Sequence, residues 1–278
     1  MKIDCHVHVT PPDITANWEK YAQKEPYFSL LSNSKVNKFA NTEDVISMLD
    51  KENFDKAIIF GFAFCDIGLC RYVNDYVIES INKYPEKLTG FAVVPPGGKE
   101  TTLEIERCHD AGLKGVGELF PAGQGINLND NLQTQPITAV CKERSLPLLL
   151  HTNENVGRNY AGKTDVTMKE IENFITNNPD LKIILAHMGG GIFLFETMKD
   201  IKEKFRNVFY DTAALPFLYD ERIYRAIHAL NLCEKILFGS DFPIMSPSRY
   251  LDGLQKSGLT GEEMELVLGG NVRKLLGI

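Results

Sequence analysis

Eight short apolar runs separated by helical patterns limit what this chain can fold into more than any other feature. They are KIDCHVHV (2–9), KAIIFGF (56–62), LTGFAVV (88–94), LKGVGELF (113–120), LPLLLHTN (146–153), KIILAHMG (182–189), VFYDTAA (208–214) and KILFGSDF (235–242). Most are near-continuous rather than alternating, as parallel strands covered on both faces must be. Helix patterns lie between them. Thr42 precedes EDVISMLDK, whose Val45, Ile46 and Leu49 share one face. Asn74 reads as the opening of DYVIESINKY, with Pro85 after its end. Residues 101–111, 136–144, 167–177, 192–205, 220–230 and 248–257 read similarly, several ending at Gly112, Asn178-Pro179 or Gly258. Strand–helix units mostly roughly 25–36 residues apart predict an α/β fold of the (β/α)8 barrel type. A doubly wound open sheet shares the alternation, but no GxGxxG follows the first run.

Two segments exceed the repeat. Residues 10–41 form a long connection rich in Pro, Asn and aromatic residues, and hold the single tryptophan, Trp18. A connection of that length after a barrel strand is expected to lie over the C-terminal mouth as a loop. Residues 260–276, with GGNVRKLLG, read as an added C-terminal helix. With 278 residues, the whole of 1–278 is expected to be a single barrel domain.

Composition narrows the partners. A net charge of −7 with 24% charged residues gives no electrostatic reason to expect nucleic acid or an anionic membrane. No signal-peptide pattern opens the chain, and no apolar run reaches the roughly 18 residues of a membrane span. The six scattered cysteines include no CxxC; Cys65 and Cys70 lack a second pair. Together these predict a reduced, cytoplasmic protein. A homodimer is the oligomer expected on base rate alone.

The polar residues at the strand ends carry the chemistry. His6 and His8, two apart on one strand, project from the same face, with Asp4 beneath them. Glu118 ends strand four, His151 strand five, His187 strand six and Asp241 strand eight. Those four histidines are among six in the chain; the other two, His109 and His228, read as outer-helix residues. In a (β/α)8 barrel such positions converge on the active site. Imidazole and carboxylate donors without cysteine suit a catalytic divalent metal, zinc above all, with manganese or another divalent ion as the alternative. Asp241 is the candidate to exchange a proton with an activated water. Glu118 reads either as a ligand or as a histidine's structural partner.

The ordered HxH, two single histidines and a final Asp, with CHVHV, ILAHMGGG, LFGSDFP and LGGNVRKLLG, resemble the amidohydrolase superfamily of metal-dependent hydrolases. Within it the chain looks most like the amidohydrolase-related (amidohydrolase 2) family, from residue 2 to about 277. The resemblance implies a deformed barrel with one or two divalent ions at its mouth and two possible chemistries. The main expectation is hydrolysis of a small amide, ester, lactone or phosphoester. GELFP shares its first two residues with the GEIGLD-type segment of two-metal, TatD-like hydrolases, where a Glu bridges the ions. By that pattern Glu118 bridges one ion near His6 and His8 and another near His151 and His187. The alternative is a non-oxidative decarboxylase of a small unsaturated or aromatic acid. In that branch His6, His8, His151 and Asp241 hold one ion and His187 acts on the substrate. An inactive barrel kept as a binding protein is the minor reading, disfavoured by the completeness of the set. For a small-molecule substrate, Arg158 and Tyr160 after His151, and Trp18 in the long loop, are the candidate contacts; Arg71, Lys163, Arg222 and Arg249 are further loop cations.

Overall fold

The computed structural model describes all 278 residues. Its eight strands are β1 (Ile3–His8), β2 (Lys56–Phe60), β3 (Leu88–Gly90), β4 (Val116–Leu119), β5 (Leu148–Leu150), β6 (Ile183–Leu185), β7 (Val208–Asp211) and β8 (Ile236–Leu237). Neighbours pair in parallel as β1-β2-β3 and β4-β5-β6-β7-β8. Two seams close the ring. At the first, Ala92 N donates to Gly115 O (2.9 Å) and Gly117 N to Ala92 O (2.7 Å). At the second, Cys5 N donates to Phe238 O (2.8 Å) and His8 N to Phe242 O (2.8 Å). The result is a (β/α)8 barrel with every strand paired on both sides, so no edge is left open.

Helices follow the strands. After β1 come α1 (Pro12–Ala16), α2 (Trp18–Ala22), α3 (Pro26–Ser32) and α4 (Thr42–Glu52). The single crossovers are α5 (Ile67–Lys83), α6 (Lys99–Asp110), α7 (Asn131–Glu143) and α8 (Met168–Asn177). β6 leads through an irregular 3-10 segment, His187–Thr197, to α9 (Lys199–Lys204). β7 leads to α10 (Leu215–Leu218) and α11 (Ile223–Ala229); β8 leads to α12 (Ser248–Gln255), α13 (Gly261–Glu265) and α14 (Asn271–Leu276).

Several sequence expectations need correction. Residues 10–41 are not a plain loop, since α1, α2 and α3 occupy most of them. Asn74 does not open a helix. The cap is Asp66, whose side chain accepts from Leu69 N, and Asn74 is buried inside α5. There its amide donates to Val93 O and accepts from Val93 N (2.9 and 2.8 Å), so a helix side chain does a strand's pairing. The helix opening at 42 is capped by Asn41, which forms a reciprocal capping box with Asp44. Residues 260–276 are two helices, α13 and α14, joined by a wider turn at Leu266–Gly270. Helix α7 starts five residues ahead of Pro136, which its first turns accommodate.

The barrel wall is apolar on its outer side. Ile3, Cys5 and Val7 of β1 are buried on the face opposite His6 and His8, beneath the helices. Asp4 is also fully buried. It accepts from Ser240 N (2.9 Å) and Ser240 Oγ (2.5 Å), tying β1 to the segment after β8. Burial pushes its carboxyl up to about 7, against those hydrogen bonds.

Candidate metal centre

Six side chains meet at the C-terminal mouth in two groups: His6, His8 and Asp241, and Glu118, His151 and His187. All six follow apolar strand runs in the sequence. In the first group His6 Nε2 lies 3.3 Å from His8 Nε2, and Asp241 Oδ1 lies 3.4 Å from His8 Nε2 and 3.7 Å from His6 Nε2. In the second, His187 Nε2 lies 3.2 Å from His151 Nδ1. Glu118 stands between the groups. Its Oε2 is 3.5 Å from both His6 Nε2 and His8 Nε2, while its Oε1 is 3.0 Å from His151 Nδ1 and 3.5 Å from His187 Nε2. Only His8 has an appreciable exposed fraction, 25% of its side chain.

The backbone is bent to bring these groups in. His187 and Asp241 both have φ in the left-handed region (56° and 63°), a conformation that costs non-glycine residues roughly 1–3 kcal/mol each. From His187 to Gly191 the chain makes a left-handed turn, with Met188, Gly189, Gly190 and Gly191 all at positive φ. L-residues pay about 1–2 kcal/mol each for that hand, which explains the GGG of the sequence. Backbone N–H of His187 donates to Asp211 Oδ1 (3.0 Å), holding the turn against the barrel.

The outer nitrogens fix the tautomers. His151 Nε2 faces Gly162 O (2.8 Å) and His187 Nδ1 faces Ala213 O (2.9 Å). A carbonyl only accepts, so both nitrogens carry protons. His6 Nδ1 donates to Asp211 Oδ2 (2.8 Å). Three rings therefore spend a proton outward and, when neutral, present bare lone pairs inward, toward the carboxylates of Glu118 and Asp241. Acceptors at 3.0–3.7 Å with no proton between them need positive charge. Without an ion that charge is protons. Burial disfavours a charged His6, but Asp211 and then Glu118 hold its pKa well above the usual value. His187 is likewise held at about 9 by Glu118 and Asp241 despite burial. Burial instead lowers His151. Glu118 stays well below the carboxylate range, where His6 and His151 outweigh its burial, and Asp241 is lowered mainly by His8 against burial. A donor set of this kind fits divalent cations, which replace the protons and satisfy the same lone pairs.

Asp211 had no role assigned from the sequence, although it ends the β7 run just as the others end theirs. It is fully buried and orients His6 and, through backbone N–H groups, His187 and Ala213. Carboxylate–histidine pairs of this kind set the ring orientation and basicity of metal-binding histidines.

Above the groups lies a cavity of 580 Å³ reached by His8, Glu118, His151, His187 and Asp241. Its walls include Phe28, Phe39, Phe62, Phe120 and Phe217. Phe120 stacks on His151 at 3.8 Å between centroids. Arg158 and Tyr160 are among its lining residues, and Lys38 adds a second cation. Arg158 Nη2 donates to Phe217 O (2.9 Å) and Tyr160 OH to Glu154 Oε2 (2.9 Å), so both are tethered. Trp18 does not line the cavity. It packs on the core from α2, and the aromatic contribution of this region comes from Phe28 and Phe39. His109 and His228 lie on α6 and α11, away from the mouth.

No curated protein sequence matches the chain. Among solved structures it is similar to a 5-carboxyvanillate decarboxylase from Sphingomonas paucimobilis (16% identity, 100% of this chain and 99% of that one, TM-score 0.76). It is similar to a 5-carboxyvanillate decarboxylase from Novosphingobium aromaticivorans complexed with manganese (15%, 100% and 96%, TM-score 0.77). A third is a 2,6-dihydroxybenzoate decarboxylase from Rhizobium (17%, 99% and 98%, TM-score 0.71). At these identities the likeness is one of fold. No helix of the chain is long and apolar enough to cross a membrane. The family model for amidohydrolases matches residues 3–278, and this chain is a member of that family.

Proposed function

We propose that the chain is a divalent-metal-dependent decarboxylase of a small aromatic or unsaturated carboxylic acid. The observation that carries this reading is the cavity: phenyl walls lead down to a floor of imidazoles and carboxylates. Such a site takes a flat apolar body with one polar end. Its fold is also that of enzymes acting on carboxyvanillate and dihydroxybenzoate.

His6, His8, His151 and Asp241 would hold the ion, zinc or manganese, which supplies Lewis acidity toward an oxygen of the substrate. Asp211 keeps His6 in the tautomer that offers Nε2. His187 is tethered through Nδ1–H to Ala213 O and can carry a second proton at Nε2, on the cavity side. Glu118 and Asp241 hold it at about 9, and sharing their charge with a bound ion would bring it toward neutrality, where proton exchange is easiest. The carbon–carboxylate bond breaks, CO2 leaves and the electron pair stays on carbon. His187 gives that carbon its proton and recovers one from water. The phenyl walls keep bulk water away from the carbanion, and Arg158 and Lys38 at the cavity side can pair with a further anionic group.

Glu118 favours a second reading, hydrolysis at a two-ion centre. Its two oxygens face the two histidine groups separately, the geometry of a bridging carboxylate. In that reading the substrate is an amide, ester, lactone or phosphoester, and Asp241 takes the proton.

One experiment separates them. Metal per chain is measured by plasma mass spectrometry for wild type and Glu118→Gln, with CO2 release assayed on hydroxylated benzoates and unsaturated acids beside a panel of hydrolysable substrates. One ion in both proteins with CO2 release supports decarboxylation. Two ions falling to one in Glu118→Gln, with turnover confined to the hydrolysable panel, overturns it in favour of hydrolysis.

A further inference from the structure

A third group of metal-binding side chains lies at the other end of the barrel. His228 closes α11, Cys233 sits in the turn entering β8, and Glu263 is in the first turn of α13. Cys233 precedes its strand whereas His6, His151 and Asp241 end theirs, so this group belongs to the face opposite the cavity. We propose that His228, Cys233 and Glu263 form a separate binding site for zinc or a similarly thiophilic divalent ion, independent of the reaction at the mouth.

The geometry is already close to what an ion needs. His228 Nδ1 lies 3.0 Å from Glu263 Oε1, and Cys233 Sγ lies 3.4 Å from the same oxygen. All three ligand atoms fall within 4.8 Å of one another. Tetrahedral zinc, with bonds of about 2.0–2.3 Å, sets its ligand atoms about 3.3–3.6 Å apart. The imidazole has to close on the sulfur, from a separation of no more than 4.8 Å, and His228, with 46% of its side chain exposed, is free to swing toward it. The other two are anchored. Asn271 Nδ2 holds Cys233 O (2.6 Å) and Ile236 O (2.7 Å), fixing the turn that carries the thiol. Glu263 Oε2 accepts from Thr260 N (2.7 Å) as part of a capping box and also lies 3.1 Å from His228 Nδ1, while Oε1 faces both the sulfur and the imidazole.

The donor types decide the ion. Sulfur, imidazole and one carboxylate oxygen suit zinc or cadmium and are poor for magnesium or calcium. The centre at the mouth has no sulfur donor, so the two sites differ in preference. Water supplies the fourth position on the exposed side. In the free state Cys233 is a thiol that burial, then Glu263, pushes up to about 12. Ion binding expels that proton to solvent, and His228 moves its own from Nδ1 to the outer nitrogen. Bound, the ion fastens α13 to the α11–β8 connection, a junction otherwise made here by hydrogen bonds to the Glu263 carboxylate.

Cobalt(II) gives a readout that the mouth cannot imitate, because only a thiolate ligand produces sulfur-to-cobalt charge-transfer absorption. The full chain, stripped of metal and titrated with cobalt, is expected to develop that band, to saturate it with one ion, and to lose it when zinc is added. Cys233→Ser should abolish the band and Cys65→Ser, at the exposed cysteine, should leave it intact. His228→Ala, at a half-exposed surface position, should weaken cobalt binding on the order of tenfold or more. Absence of the band in wild type overturns the proposal, as does its survival in Cys233→Ser. If Cys233→Ser does not fold, unchanged affinity in His228→Ala overturns it alone.

Discussion

Asp211 does for His6 what the carbonyls of Gly162 and Ala213 do for His151 and His187: it takes the outer proton and leaves the inner nitrogen bare. It differs in also accepting two backbone N–H groups on its other oxygen. Asp211→Asn must turn its NH2 either toward His6 Nδ1–H or toward those amides, and one set of donors then faces another donor. The affinity for zinc or manganese at the mouth is expected to fall about 10–100-fold, read by calorimetric titration of the stripped chain. An unchanged affinity would mean that His6 orientation does not depend on this carboxylate. At this scale the six converging side chains were legible because each follows an apolar run and precedes turn residues. Asp211 follows the same rule, but VFYDTAA reads as a strand with nothing to mark its Asp as a partner for His6. Trp18 misled in the other direction. A lone aromatic in a long connection carries no sign of which face it presents, and here α2 turns it onto the core.

Between the residues and the barrel stand the elements that aim them. The left-handed turn from His187 to Gly191 is the most exposed to substitution, since a Cβ on Gly190 would lie 2.1 Å from Asn153 O. That oxygen is backbone two residues beyond His151, so the β5 loop and the β6 turn cannot both stay in place. Gly190→Ala is expected to cost at least about 1–2 kcal/mol from the hand of the turn alone, with the contact adding to it. Urea unfolding reads that loss. Because His151 and His187 flank the contact, metal binding should weaken in the same variant. The triple glycine was visible in the sequence as turn chemistry, but its left hand and its contact across to β5 are tertiary facts. The same limit explains Asn74. Mid-helix asparagine is uncommon enough to read as a cap, and only the proximity of Val93 shows why it is tolerated inside α5.

Across the whole molecule the barrel was readable because eight buried runs leave few ways to cover both faces, whereas the seams that close it were not. They rest on isolated pairings at Ala92–Val116 and Val7–Phe242, with no residue pattern of their own. Closure has an electrostatic consequence, because it buries the six-membered cluster and couples its protonation to folding. His187, at about 9, and His6, well above its usual value, bind protons in the folded chain at pH values where unfolded histidine, near 6.5, has lost them. A histidine raised in this way contributes stability that is complete below about 6.5 and is lost as pH rises through its folded pKa. The other shifted groups of the cluster do not titrate between about pH 7 and 9: Glu118 and Asp241 are lowered and already ionised, and His151 is lowered and already neutral. Asp4, raised to about 7, has the same sign but spends its effect at lower pH. The urea midpoint of the metal-free chain is therefore expected to fall between about pH 7 and 9. With saturating zinc or manganese the fall should shrink or reverse, because an ion takes the place of the protons and binds better as they leave. Parallel curves with and without metal would mean that the cluster does not exchange protons for an ion, which would undercut the metal centre itself.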